Sequence, residues 1–188
     1  MNAALAAVLF FFQANAVFEI DMLPGEGGPV YEAASNELQL HALPSTASRI
    51  LATIKVTAGQ RLAYDDERYR TIQAGRIEAL SASRIQGRLI GKVSRLSRND
   101  YYNRNFASAN IEVKSGAAVE FLQYRAEGSC FIRIAGDVID APCPYIDIAA
   151  FKLAKEPITE EWIHTTIGGS TGWLLASGPG IKEVDRTF

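Results

Sequence analysis

Histidine and cysteine are scarce in this chain: its 188 residues hold two of each. Cys130, Cys143, His41 and His164 do not fall into a zinc-ligand spacing, so no metal is expected. Asp65, Asp66 and Glu67 are consecutive and lack the alternating oxygen-ligand spacing of a calcium loop. The Gly25–Gly28 stretch has no lysine and no helix after it, so it does not cradle phosphate, and no cofactor is expected. An excess of positive charge is also missing. The formal net charge is −2, which exerts no global pull toward nucleic acid or anionic lipid. No segment has the length and period of a long helix. Ala3–Phe12 is an unbroken apolar run, but a membrane span needs roughly 20 such residues.

That run has a use of its own. Ala14-Asn15-Ala16 follows it, a small-x-small triplet of the kind signal peptidase cleaves. Residues 1–16 are therefore expected to be a signal peptide, cleaved near Ala16, with a periplasmic or secreted product. The competing reading is a buried N-terminal strand or helix. In an exported chain with an even cysteine count, Cys130 is expected to pair with Cys143. In the loop-entropy account, so short a closed loop stabilises by about 3 kcal/mol.

The rest reads as short β runs punctuated by Gly and Pro. A strand is expected at Val30–Ala33. Leu38, Leu40 and Ala42 alternate with Gln39 and His41, which is strand period. Pro44-Ser45-Thr46 makes a turn, β-branched Ile50–Val56 a strand, Gly59 a turn and Arg61–Tyr64 another strand. Two short strands surround Ala74-Gly75, and the acids and arginines of Asp65–Arg70 are expected in a charged loop. Residues 81–107 are rich in arginine. They read as a strand and then a one- to two-turn helix capped by Ser97, since Gly87 and Gly91 argue against a longer helix. Glu160–Leu175 reads as a hairpin turning at Gly168-Gly169. The tail from residue 179 to 188 is expected to fray.

One element occurs twice. Val56–Tyr64 and Val113–Phe121 both read Val-x-x-Gly-x-x-aliphatic-x-aromatic, as though two related β modules were present. Leu38–Leu62, through Pro44-Ser45-Thr46 and Gly59, resembles the opening of bacterial SH3-like domains. Leu38-Gln39-Leu40-His41 stands where that family has a more polar strand. Val113–Leu122 and the Glu160–Leu175 hairpin, with Trp162 and Gly172-Trp173, are similar to later strands of the same family. The resemblance implies a mainly β chain of two small SH3-like barrels in tandem, with a short helical turn between or beside them. The first module would span residues 17–100, with a leader, and the second 101–178, with an insertion carrying both cysteines.

The resemblance also implies a non-catalytic envelope module that takes a cell-wall peptide or a partner protein in a shallow groove. Trp162, Trp173, Tyr101 and Tyr102 are the candidate stacking residues, and Glu160 and Glu161 the candidate charge selectors. Of the two tryptophans, Trp162 is the better surface candidate and Trp173 reads as packing. The basic segment around Tyr101 and Tyr102 has the composition of a polyanion or single-strand binder, and reads more simply as a solvated linker. Two other function classes remain: an envelope assembly protein whose modules pack on each other, and a hydrolase using Cys130 and His164. Cys130 precedes a strand rather than opening a helix, so nothing lowers its thiol pKa as such an enzyme requires.

Overall fold

A computed structural model describes residues 16–22, 29–126 and 128–184. The expected signal peptide, Ala16 excepted, and Gly25–Gly28 lie outside the described residues. The chain opens with β1 (Phe18–Met22), β2 (Val30–Ala33), β3 (Glu37–His41), β4 (Ile50–Lys55), β5 (Arg61–Leu62), β6 (Asp66–Gln73) and β7 (Gly75–Ala79). Then come β8 (Ser83–Gly91), β9 (Arg95–Leu96), helix α1 (Arg98–Asn103), β10 (Ala107–Val113), β11 (Ala118–Ala126), β12 (Ser129–Ile134) and β13 (Asp137–Pro142). A 3-10 turn (Pro144–Ile146), β14 (Phe151–Lys155), β15 (Ile158–Ile167), β16 (Ser170–Leu175) and β17 (Ile181–Val184) complete it. The fold is mainly β, as the punctuation predicts. Ser97 caps α1, its hydroxyl accepting from the Asp100 N–H at 3.1 Å.

The strands form two seven-stranded sheets, β4-β3-β16-β15-β6-β1-β9 and β10-β8-β13-β12-β11-β7-β14, and a three-stranded one, β17-β2-β5. Their pairings repeat. In one unit β2 pairs with β5 and β17, β3 with β4 and β16, and β15 with both β6 and β16. In the other, β7 pairs with β11 and β14, β8 with β10 and β13, and β12 with both β11 and β13. The connectivity is the same, with β5 and β6 together matching β11. The second unit, β7 to β14, is inserted between β6 and β15 of the first.

The sequence echo marks this repeat. Gly59 and Gly116 turn the chain at φ of 83° and 78°, which glycine adopts without steric cost. Their N–H groups reach the carbonyls of Ala33 and Ala79, both at 2.8 Å, at the ends of the equivalent β2 and β7. Leu62 and Val119 then enter their cores.

Strand pairing therefore crosses residue 100 instead of dividing there. β8 meets β10 across it, and β3 and β6 meet the C-terminal hairpin. The two stretches read as the opening of one module and the hairpin of the next are halves of a single outer unit. The tail differs too. β17 pairs with β2 from Ile181↔Ala33 to Val184↔Val30, and the remaining tail, 185–188, lies outside the described residues. Asp65–Arg70 is no loop, because from Asp66 on it belongs to β6, between β15 and β1.

Each unit encloses its own core. Tyr31, Leu38, Leu40, Leu62, Ile163 and Leu174 fill the outer one. Ile77, Val113, Phe121, Ile132, Ile139 and the disulfide fill the inner one. A third cluster joins the units: Phe18 and Ile20 of β1 meet Ile90, Leu122, Phe131 and Val138. Burying each such side chain contributes about 1.5–3 kcal/mol, so the junction holds the units together. β1 also pairs with β9, which ties the connector after β8 to the outer unit. Gly87 lets β13 approach β8 closely. A Cβ there would lie 2.4 Å from the Asp140 carbonyl oxygen.

Candidate functional site

Each unit carries a cleft, and the two occupy equivalent positions. The outer cleft, about 370 Å³, runs between β3, the β3–β4 loop and the β16–β17 connection. Leu38, Leu174 and Ile181 are its apolar floor, shared with the core. Glu37, Gln39, His41 and Thr46 supply its polar groups, and Ile50 and Leu175 its apolar flanks. Beyond the lip, Leu43 is 63% exposed and Leu51 44% exposed. His41 is buried, and its Nδ1 has no hydrogen-bond partner. Its ring stands edge-on to Trp162 at 5.3 Å.

The inner cleft, about 340 Å³, lies between the start of β8 and the β13–β14 connection. Ile85, Cys143 and Phe151 line it, and Ile146 stands 62% exposed at its mouth. Cys143 is bonded to Cys130 with the Cα atoms 4.9 Å apart, so the expected disulfide ties this connection to β12. Cys130 therefore has no thiol, and His164 belongs to the other sheet, its Nδ1 2.7 Å from Asp65 Oδ1.

The charges of β6 are paired on both faces of the sheet. Successive strand residues point to opposite sides. On one side Arg70 donates to Glu19 at 2.9 Å and to Glu160 at 2.8 Å, while Arg68 and Arg95 hold Asp21. On the other, Glu67 lies buried with Tyr69, Tyr31 of β2 and Glu161 of β15. The Tyr69 hydroxyl donates to Glu161 at 2.6 Å, and Tyr31 donates to both Glu161 and Glu67. Burial first, and then the adjacent Glu161 carboxyl, push the Glu67 carboxyl up to about 8. Burial, with the nearby carboxylates, also raises both phenols, so they stay protonated donors.

The six candidate site residues do not share one surface. Glu160 and Glu161, neighbours on a strand, face opposite sides and are already bonded as above. Trp162 is fully buried, with its indole N–H donating to Glu160 at 3.0 Å. It lies mid-strand on a central strand, with Leu175 and Arg68 as cross-strand neighbours. Trp173 is the half-exposed one, its ring covered by Arg68 at 4.9 Å and His164 at 5.1 Å. It stands across from His41, beside the outer cleft. Tyr101 is buried in the junction between units, and Tyr102 stands edge-on to it at 5.1 Å and is exposed.

Sequence reasoning did not single out His41, Ile50 or the 178–181 connection as cleft residues. The Leu-Gln-Leu-His departure in β3 was the available signal for His41. Among the described residues there is no group of three or more metal-ligating side chains, and no helix long and apolar enough to cross a membrane. No known protein family, curated protein or solved structure matches the chain.

Proposed function

We propose that this chain is an exported, non-catalytic binding module with two SH3-like units, and that it holds extended peptide segments of the cell wall or of an envelope protein. One observation carries the reading: a cleft of similar size recurs at the same place in both units, between the equivalents of β3 and the β16–β17 connection. An extended chain suits such shallow sites, since alternate side chains enter the cleft while the backbone stays accessible for hydrogen bonds. The buried junction between units uses neither cleft's lining, which leaves both open to a ligand. The disulfide fits an oxidising compartment.

The test is co-sedimentation of the full chain with purified cell-wall sacculi at low and high salt. Ile50→Glu and Ile146→Glu each place a charge at one cleft mouth, and both positions are exposed enough to leave folding intact. Salt-resistant binding that weakens in each variant and disappears in the double variant supports the reading. Absence of binding, or equal binding by all four proteins, overturns the wall-peptide assignment. It would favour an assembly role in which the apolar clefts face other subunits.

A further inference from the structure

The inner unit carries a second surface, unrelated to either cleft, in which guanidinium groups and aromatic rings alternate. Arg125 lies over the Tyr101 ring at 5.2 Å, and Arg88 over the same ring at 4.7 Å. Arg88 also reaches Phe106 at 6.0 Å, and Arg104 covers that ring at 5.6 Å. The order along the surface is Arg125, Tyr101, Arg88, Phe106, Arg104. Asp140, 5% exposed, anchors it from beneath. Arg88 and Tyr101 donate to Asp140 Oδ2, and Arg125 reaches both carboxylate oxygens at 3.2 and 3.5 Å. Among the described residues no carboxylate pairs with Arg104. Arg88 and Arg125 thus share one buried anion, Arg104 adds a third cation, and all three arginines are exposed. In the outer unit, the pair corresponding to Arg88 and Asp140 is His41 opposite Trp173, so this charge belongs to the inner unit alone.

We infer that this stripe is a binding site for a linear polyanion carrying phosphate, sulfate or carboxylate groups. A guanidinium stacked on a ring and pinned at one edge by a buried carboxylate keeps its remaining N–H groups outward in a fixed fork. That geometry is pre-organised for oxyanions. Nucleic acid fits less well. Tyr101 and Phe106 already have guanidiniums over them, so those rings offer bases little to stack on, and the stripe presents N–H donors instead. The inference does not depend on either cleft.

The experiment is calorimetric titration of the full chain with a short inorganic polyphosphate, at salt concentrations between about 50 and 200 mM. Arg104→Ala with Arg125→Ala is compared with wild type and with Arg84→Ala, an exposed arginine paired with Glu112 elsewhere on the inner sheet. Circular dichroism confirms that each variant folds. Wild-type binding should weaken as salt rises, and the double variant should bind roughly tenfold more weakly, its salt slope shallower by about 1.5. Arg84→Ala should bind as wild type. Arg125→Lys keeps the charge but loses the fork, and should fall between wild type and the double variant. The inference is overturned if wild type does not bind polyphosphate at the lowest salt, or if Arg84→Ala costs as much as the double variant. It is also overturned if oligothymidylate of matched charge binds far more tightly than polyphosphate, because base stacking would then dominate.

Discussion

The buried carboxyl of Glu67 should make this protein less stable as pH rises, and Glu67→Gln should remove that dependence. Glu67 is 2% exposed on β6, with Tyr31 donating to it and the Glu161 carboxyl beside it. Its pKa is raised from 4.5 to about 8, by burial first and by Glu161 second. The folded state therefore retains a proton that the unfolded chain gives up near pH 4.5. The stabilisation is fully present below that value and declines as pH rises. It is gone above about pH 8. At about 1.4 kcal/mol per pH unit, the interval sets a ceiling of about 5 kcal/mol on the loss. Glutamine has the shape of the protonated acid and does not titrate.

Urea unfolding of both proteins, followed by tryptophan fluorescence, would read the effect. Between about pH 5 and about pH 9, the Glu67→Gln variant should gain at least ~2 kcal/mol relative to wild type. Titrating groups remote from the Glu67 cluster affect both proteins alike and cancel in the difference. Parallel stability profiles for the two proteins would refute the reasoning, since Glu67 would then be ionised in the folded state or exposed to water.

Trp162→Ala should cost about 3–5 kcal/mol because it empties a fully buried site, while Trp173→Ala should cost about 1 kcal/mol; urea midpoints separate the two. Any binding lost in Trp162→Ala would therefore report unfolding and not a missing contact. Removing the Cys130–Cys143 bond as a double serine variant should lower stability by about 3 kcal/mol, measured as a shift in the urea midpoint. Gly87→Ala should destabilise by about 1–3 kcal/mol in the same assay, since the added methyl meets the β13 backbone. A neutral result would mean that β8 and β13 can move apart.

Strand placement was legible wherever local chemistry dictates it. Alternation in Leu38–Leu40 set the buried face of β3, Gly59 and Gly116 required left-handed turns, and Ser97 could cap only a helix start. The disulfide followed from cysteine number and the expected compartment. Asp65–Arg70 misled because charge density signals solvent when a segment is read alone. In the fold each charged residue finds a partner distant in sequence, from Asp66 with Arg98, 32 residues away, to Asp65 with His164, 99 residues away.

Three features were decided by tertiary structure alone. The inner unit interrupts the outer one, because β6 can complete its ladder only with β15, a strand specified after the whole insertion. Trp162 and Trp173 exchange their expected roles, because burial depends on which strands flank a residue and not on its neighbours in sequence. The clefts join segments from opposite ends of each unit, so their lining residues carry no common motif. The sequence by itself determined a mainly β chain with a repeated glycine turn, since those depend on near-neighbour sterics and hydrophobic period. Which strands meet, and so which surfaces stay open to a ligand, depends on long-range pairing that no local pattern encodes.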